Sequence, residues 1–372
     1  MSVWKECTIA DLGTVVGGAT PSTKDSANYD NGTIAWLTPK DLSGYQRRYI
    51  SRGERNITEK GLRSCSTQLM PRHTVLFSSR APIGYVAIAE NELCTNQGFK
   101  SIIPNENTDY LFLYYLLKYN KDAIENMGSG TTFKEVSGNT MRGIRVRVPS
   151  DIETQRRIAG VLGSIDDKIE QNIAINNNLL EQAMALFDST FSNTSLGNKS
   201  IGDYIIPKRG KNLLSKDAIL GDVPVVAGGL EPSTYHNIAN TKAPVLAISA
   251  SGANAGFVSL WNSPIWSSDS SYIDSSMTSN VYFWYVLLKK RQSEIYEAQT
   301  GSAQPHIYPQ HIAAMPLIEL DMQKVHWFNE TVTPNFEAIG ENLKQNNRLS
   351  AIRNAILPKL MSGELDVSEL EI

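Results

Sequence analysis

LFLYYLLKY, at Leu111–Tyr119, returns 171 residues later as YFWYVLLKK, at Tyr282–Lys290, with five of the nine positions identical. At the same shift Gly130 falls on Gly301. Further matches at closely similar shifts join PIGYVA at Pro82–Ala87 to NAGFVS at Asn254–Ser259, and LGTVVGGATPS from Leu12 to IGDYIIPKRGK from Ile201. Self-similarity on this scale predicts a chain built from two copies of one structural unit.

Downstream of each copy, apolar residues follow a heptad rhythm with alternating spacings of four and three. The first run is Ile158, Leu162, Ile165, Ile169, Asn172, Asn176, Leu179, Ala183 and Leu186, and the second is Phe328, Val332, Asn335, Ile339, Asn342, Asn346, Leu349, Arg353 and Ile356. This spacing is typical of a helix that packs on another helix. The asparagines either lie in the seam, where they fix register and partner, or are solvated at its edge.

Capping signals give a first estimate of where these helices begin and end. Thr333-Pro334 has the form of an N-cap followed by proline at the first helical position, and Ser164 with Asp166 and Asp167 has a similar form in the first copy. Pro358 is a natural stop. We therefore expect helices over residues 165–192 and 334–357, each about 35–42 Å long at 1.5 Å per residue.

The blocks before the two helices are dense in β-branched residues, glycine and proline, which indicates short strands separated by turns. The predicted strands are Ile34–Leu37, Thr74–Phe77, Gly84–Ala89, Gly143–Val148, Val223–Ala227, Pro244–Ile248 and Gly256–Leu260, and each block has one clear helix, at Tyr110–Tyr119 and Val281–Gln292. The expected fold class is therefore α+β: a first globule (residues 1–150), a helix (151–195), a second globule (196–320) and a C-terminal helix (321–372). Each globule is a mixed α/β structure followed by a long helix.

Composition is that of an ordinary water-soluble chain, and we expect a cytoplasmic protein. Residues 1–150 contain 18 Lys and Arg against 14 Asp and Glu, whereas residues 151–195 contain 3 against 7, so the net charge of −3 conceals a basic first globule and an acidic helix. No stretch reaches the apolar length of a membrane span, and no signal pattern opens the chain. Cys7, Cys65 and Cys94 are too few and too widely spaced for a disulfide framework or a zinc site.

The motifs of a nucleic-acid enzyme are missing from the sequence. Gly210-Lys211 lacks the remainder of a phosphate-binding loop, no N/D-P-P-Y/F tetrapeptide of an amino-methyltransferase occurs, and the five histidines have no metal-binding spacing. We therefore expect no catalytic residue and no metal ligand. His306 is either a loop histidine with local hydrogen bonds or a contact to a base or phosphate.

Basic residues in loops favour nucleic-acid binding, because arginine can contact guanine as a fork and lysine can hold phosphates. Any one of them could equally be a solvated surface charge. Arg142, Arg145 and Arg147 would form either a phosphate track on one face of a strand or a solvated edge. The candidate DNA contacts are Arg47, Arg48, Arg52, Arg80, Lys134, Arg145, Arg147, Lys208, Arg209, Lys211 and His306, with Arg55 and Arg142 beside them.

The order of segments resembles the specificity (S) subunit of type I restriction–modification enzymes, over essentially the whole chain. The matching pieces are IADLGTVVGGATPS, SIGDYIIPKRGKN, VLFSSRAPIGYVAI, GTTFKEVS, GSAQPHI, RVRVPSDIETQRRIAGVLGSID and the terminal ILPKLMSGEL. The second copy departs from the pattern: LIELDMQKVHWF stands where the first has VPSDIETQRRIA, without the proline and the E-x-Q triplet.

The resemblance implies two target-recognition domains, each of which reads one half of a split, asymmetric double-stranded DNA site. It implies that the central helix (151–195) and the C-terminal helix (321–372) pair as an antiparallel coiled coil, act as a spacer between the two domains and dock two methyltransferase subunits, with restriction (translocase) subunits outside them. S-adenosylmethionine, ATP and Mg²⁺ would be bound by those partners, and this chain would bind no cofactor and no membrane. The expected helix-seam residues are Ile165, Ile169, Asn172, Asn176, Leu179, Ile339, Asn342, Asn346 and Leu349. The alternatives from the residues alone are a self-contained DNA methyltransferase and a coiled-coil protein scaffold.

Overall fold

A computed structural model of the protein describes residues 3–130, 134–301 and 304–367. The chain divides into two compact units: unit 1 contains the residues up to Gln171 together with those from Asn346 onward, and unit 2 contains Asn172–Gln345. Each unit therefore joins one globule to a part of both long helices. This division differs from the four consecutive segments that the sequence suggested.

The first globule is a mixed α/β structure. Its strands are β1 Trp4–Thr8, β2 Gly13–Gly17, β3 Ile34–Leu37, β4 Tyr49–Ile50, β5 Arg55–Ile57, β6 Val75–Ser79, β7 Ile83–Ala89, β8 Cys94–Thr95, β9 Lys100–Pro104 and β10 Arg145–Pro149. Its helices are α1 Ile9–Leu12, α2 Glu59–Arg63, α3 Tyr110–Tyr119, α4 Lys121–Asn126 and α5 Gly138–Gly143, after which the long helix α6 spans Ile152–Thr190.

The second globule repeats this organisation. Its strands are β11 Lys199–Ser200, β12 Lys208–Arg209, β13 Val223–Val226, β14 Thr234–His236, β15 Val245–Ser249, β16 Val258–Trp261, β17 Trp266–Ser267, β18 Ser270–Asp274 and β19 Pro316–Leu317. Its helices are α7 Val281–Lys290, α8 Gln292–Glu297 and α9 Pro309–Ala313, and the long helix α10 spans Met322–Ser362. All seven strands predicted from the sequence are confirmed, with ends shifted by at most two residues.

The sheet topology confirms the duplication. Among the described residues, the first globule has sheets of order β2-β9-β6-β7-β4, β5-β3-β8 and β1-β10, and the second has β12-β18-β15-β16, β14-β13-β17 and β11-β19. Apart from the extra strand β4, each sheet of one globule has a counterpart of the same strand order in the other. The repeated nonapeptide forms α3 and α7, whose apolar residues are almost all buried.

Both long helices begin earlier than predicted, because aspartates upstream of the predicted caps are the N-cap residues. The Oδ1 atom of Asp151 accepts a hydrogen bond from the amide of Thr154 at 2.7 Å. Asp321 Oδ1 accepts in the same way from Gln323, at 3.0 Å. Such a carboxylate satisfies amides that have no partner inside the helix. The predicted starts at residues 165 and 334 were therefore wrong.

The two prolines of the C-terminal helix do not mark its ends. Pro334 and Pro358 both lie inside α10, which continues to Ser362. The hydroxyl of Thr333 donates to the carbonyl of Asn329 at 2.7 Å, so it bonds within the helix and does not cap it. The predicted stop at Pro358 was wrong as well. None of the helices in the described part of the chain is long and apolar enough to cross a membrane.

Within each unit the segments of α6 and α10 run antiparallel. In unit 2, Asn172 Nδ2 donates to Gln345 Oε1 at 2.7 Å and Asn342 Nδ2 donates to Asn176 Oδ1 at 2.8 Å. In unit 1, Asn346 Nδ2 donates to the carbonyl of Ile169 at 3.4 Å. Asn172 and Asn346 are buried, and Asn176 and Asn342 are half-buried. The asparagines therefore lie in the seam, not on a solvated edge.

The apolar seam positions are buried to different degrees. Ile169 is buried, whereas Ile165, Leu179, Ile339 and Leu349 are half-buried. Core clusters extend from the globules onto the helices: one joins α3 to Ile158 and Leu162 of α6, together with Leu360 of α10, within unit 1. In unit 2 a corresponding cluster joins α7 to apolar residues of both helices, including Phe187, Phe328 and Phe336. A continuous apolar core therefore joins each globule to the segments of α6 and α10 in its own unit.

Candidate DNA interface

Arg48 is buried against α6, and its assignment as a DNA contact was wrong. Its side chain is 4% exposed, forms an ion pair with Asp167, and donates from Nε to Glu170 Oε1 at 3.0 Å. Its Nη1 also donates to the carbonyl of Gly163 at 3.3 Å. Burial would lower the pKa of Arg48, but the hydrogen bonds that it donates to Glu170 and Asp167 outweigh burial and raise the pKa. Arg48 attaches the first globule to the helix.

A second buried contact on α6 supports the same attachment. The hydroxyl of Tyr115 donates to Asp166 Oδ2 at 2.6 Å, and Arg353 Nη1 lies 2.5 Å from Asp166 Oδ1. Burial, followed by the charge of Asp166, raises the pKa of Tyr115 far above its ordinary value. The acidic stretch of α6 therefore binds basic and hydroxyl groups of its own unit.

The neighbours of Arg48 remain accessible. Arg47 and Arg52 are exposed, and the guanidinium of Arg55 lies 4.3 Å from the centre of the Tyr29 ring. These arginines are available to a partner, although the structure does not bring them into one cluster with the other candidates.

The expected row of three arginines on one strand is not formed. Arg142 lies in α5, where its Nη2 donates to Asn139 Oδ1 at 2.6 Å, so only Arg145 and Arg147 lie on β10. Both are exposed, because alternate residues of β10 face solvent, and Arg147 lies 5.7 Å from the Trp4 ring. They line a cleft together with Tyr119, Met361 and Ser362, on the two-stranded sheet β1-β10.

A first charged site, defined by Arg80, Lys100 and Glu135, lies at one end of the central sheet of the first globule. Glu135 Oε2 lies 3.6 Å from Arg80 Nη1, and Glu135 Oε1 lies 3.2 Å from Lys100 Nζ. Arg80 is 34% exposed and Glu135 is 38% exposed, so solvent reaches both. Lys134, adjacent in sequence, is exposed; the rest of its motif, residues 131–133, lies outside the described residues.

A second charged site, defined by Arg209, Asp269, Ser251 and His306, lies in the second globule. Arg209 Nη2 donates to Asp269 Oδ1 at 2.5 Å, and the Ser251 hydroxyl donates to the other carboxylate oxygen. The backbone of His306 forms bridges with Ser251 and with Thr300. Residues 302 and 303 of this motif are outside the described part of the chain.

Two further basic candidates flank Arg209. Lys208 is exposed on β12, opposite Tyr272 of β18. Lys211 is also exposed, and its carbonyl accepts from Trp266 Nε1 at 2.8 Å. The second globule therefore presents three basic side chains on one short segment.

Sequence reasoning missed the acidic partners at both sites. Neither Glu135 nor Asp269 has a basic residue three or four positions away, and Lys100 has no acidic residue at that spacing. Asp269 is 60 residues from Arg209. The sequence does contain one signal for Glu135. At the shift of 171 residues that relates the two nonapeptides, Glu135 aligns with His306, which is a candidate DNA contact.

Comparisons with known proteins agree with this architecture. A family model described as the type I restriction modification DNA specificity domain matches residues 1–181. The type I restriction enzyme MjaIX specificity subunit of Methanocaldococcus jannaschii is 35% identical over 410 residues, which cover 99% of this chain and 94% of the relative. The HindI specificity subunit of Haemophilus influenzae is 26% identical over 153 residues, covering 40% of this chain and 32% of that one.

A solved structure shares the fold over the whole length. The S subunit of a type I restriction–modification system from M. genitalium superposes with a TM-score of 0.61 at 18% identity, covering 97% of this chain and 96% of its own. Its likeness confirms the α+β class with two globules and long helices. With a relative 35% identical along almost the entire sequence, the chain belongs to the family of type I restriction–modification specificity subunits.

Proposed function

We propose that each globule reads one half of a bipartite, asymmetric double-stranded DNA site. One observation supports this most directly: the two globules share their sheet order but present different side chains at equivalent loops. A shared backbone with divergent loops is what two unlike half-sites require, because base identity is read by side chains in the grooves. Exposed lysines beside the two charged sites, Lys134 in the first globule and Lys208 and Lys211 in the second, supply the attraction to the DNA phosphates.

The long helices dock two methyltransferase subunits, and restriction subunits join the resulting complex. The helices have apolar side chains in solvent that the seam does not use: Ile175 is 46% exposed, Leu343 49%, Ile352 51% and Trp327 50%. These side chains are apolar surface on the long helices that a partner subunit can cover. The second copy lacks the proline and the E-x-Q triplet of the first, so the proposal includes two docking sites that differ from each other.

Catalysis belongs to the partners. S-adenosylmethionine, ATP and Mg²⁺ are bound by the methyltransferase and restriction subunits, while this chain binds no cofactor and selects the DNA sequence. The complex acts in the cytoplasm, where the DNA is.

Exchange of one globule tests the proposal. Residues 1–150 are replaced by the globule of another specificity subunit, with Arg48 and Tyr115 retained because they contact α6. The methylated sequence is then mapped in the assembled complex with its methyltransferase. We expect one half of the site to change and the other half to stay the same. An exchange of residues 196–320 is the matched control and should change only the other half; a change in both halves, or in neither, would contradict the proposal.

A further inference from the structure

The two charged sites occupy corresponding places in the duplicated backbone. The amide of Ser79 donates to the carbonyl of Gly98 at 2.7 Å, as that of Ala250 does to Asp269 at 3.1 Å. The next contact also repeats: the carbonyls of Ser79 and Ala250 accept from Val136 at 3.0 Å and from Ile307 at 2.9 Å. The bridged turns match as well, with Ser129 opposite Glu135 and Thr300 opposite His306.

The strand register extends this correspondence to the residue pairs of the neighbouring strands. Gly17 pairs with Lys100 across β2 and β9, and Arg209 pairs with Ser271 across β12 and β18. Five positions can therefore be matched between the sites: Gly17 with Arg209, Arg80 with Ser251, Gly98 with Asp269, Lys100 with Ser271, and Glu135 with His306.

None of these five positions keeps the same charged residue in both globules, yet each site contains an arginine–carboxylate contact. In the first globule the contact joins Arg80 to Glu135, and in the second it joins Arg209 to Asp269. The arginine and the carboxylate each come from a different element in the two copies. Both sites therefore contain an arginine beside a carboxylate, although the two residues stand at different positions of the shared backbone in the two globules.

Stability does not explain why the pair is present in both copies. The side chains are 34% and 38% exposed in the first site, and 41% and 33% exposed in the second. Ion pairs this accessible to water typically contribute at most about 1 kcal/mol. In each site a further donor also holds the carboxylate: Lys100 in the first and Ser251 in the second. Both carboxylates are thus fixed in place beside an arginine that solvent can reach.

Such a pair fits a base edge better than it fits a phosphate. A carboxylate beside the guanidinium repels a phosphate and reduces the attraction that the arginine offers. In the major groove, however, guanine presents two acceptors and its paired cytosine presents one donor. An arginine has five N–H donors, of which the carboxylate occupies only part, and a carboxylate can accept from the cytosine amino group. The pair therefore complements a whole G·C base pair.

We propose that Arg80 with Glu135 and Arg209 with Asp269 are the base-reading pairs of the first and second globules, each specific for one G·C pair in its own half-site. Each arginine contacts guanine, and each carboxylate accepts from cytosine and fixes the orientation of the arginine. This proposal rests on the proposed function, that each globule reads one half of the site.

The test measures methylation by the assembled complex on a library of duplexes in which every position of the site is varied. Arg80→Ala should reduce discrimination at one G·C pair of one half about 10- to 100-fold, and Arg209→Ala should do so in the other half. Arg80→Lys and Arg209→Lys keep the charge without the fork, so they should lose the same discrimination. Arg63→Ala and Lys242→Ala, both exposed in the respective globules, are the matched controls and should leave the profile unchanged.

The carboxylates are tested by Glu135→Gln and Asp269→Asn, which keep the shape of the side chain. We expect each to relax the preference at the same base pair as its arginine partner. A uniform loss of methylation on all sequences would identify a phosphate contact and overturn the proposal, as would an unchanged profile or a change in both halves. If exchange of residues 1–150 still changes one half while these variants leave the profile intact, the base-reading pairs are refuted and the proposed function stands.

Discussion

At the scale of single residues, arginine has two opposite roles in this protein. Arg48 is buried among Asp167, Glu170 and the Gly163 carbonyl, whereas Arg80 and Arg209 lie beside a carboxylate in reach of solvent. All three stand in turn-rich sequence, so local composition could not separate them. Only the packing against α6 distinguishes the structural arginine from the accessible ones.

The role of Arg48 can be tested by comparison with its neighbour. Arg48→Ala should lower the free energy of unfolding by about 2–3 kcal/mol, since it removes charge-assisted hydrogen bonds and leaves Glu170 without its partner. The control, Arg47→Ala, alters an exposed side chain and should change stability by about 0.5 kcal/mol or less. Urea denaturation of the full chain measures both. Equal effects of the two variants would show that Arg48 does not attach the globule to α6.

The sequence indicates Arg80, Arg209 and His306 as candidates because they lie in segments that recur between the two copies. It could not identify Glu135 or Asp269 as their partners. The strands that bring Arg209 and Asp269 together are 60 residues apart in the chain, and a single sequence contains no local pattern for such a pairing. The duplication itself was the usable signal, because it places Glu135 and His306 at one position.

At the scale of elements, a side chain of the long helix accepts hydrogen bonds from amides at the start of α3 and α7, but this side chain is a different residue in the two copies. Gln155 of α6 accepts from the amide of Asp109, at the start of α3, at 3.0 Å. In the second copy Asn329 of α10 accepts from the amides of Tyr282 and Phe283, at the start of α7, at 3.0 and 3.2 Å. The E-x-Q triplet missing from the second copy is thus replaced four residues later by an asparagine. The change in the motif does not remove the contact between globule and helix.

The contact between the second globule and α10 also depends on a glycine. A Cβ atom at Gly340 would lie 2.4 Å from Asn262 Nδ2, which donates to the carbonyl of Phe336 at 2.5 Å. Gly340→Ala should therefore destabilise the protein by about 1–3 kcal/mol through overpacking. Gly160→Ala, in α6, is the control: its Cβ would meet nothing within 4 Å, so the higher helix propensity of alanine should stabilise by about 0.5–1 kcal/mol.

Thermal or urea unfolding of the two glycine variants measures the difference. Opposite signs are expected. A stabilising effect of Gly340→Ala would show that the side chain of Asn262 can move away freely and that the close approach is not required.

At the scale of the whole molecule, the duplication and the heptads were the best-determined features of the sequence. The two globules, the strand segments and the long helices were all predicted correctly in kind. The composition of the compact units was not predicted, because each unit combines segments that lie far apart in the chain, such as Asp166 with Arg353. The helix starts were also misjudged, since several residues had the form of an N-cap and tertiary packing favoured the earlier ones.

The central claim is the proposal that two reading globules address two half-sites, and that the length of the long helices determines the spacing between these half-sites. Both helices cross the boundary between the units, at Gln171/Asn172 in α6 and at Gln345/Asn346 in α10. Insertion of one heptad into each helix at this boundary keeps the seam in register and adds about 10.5 Å, the rise of about three base pairs.

The measurement is the methylated sequence of the complex that contains the lengthened subunit. The account predicts that both half-site sequences stay unchanged and that the spacer between them grows by about two to three base pairs. An unchanged spacer with full methylation, or a change in either half-site sequence, would contradict it.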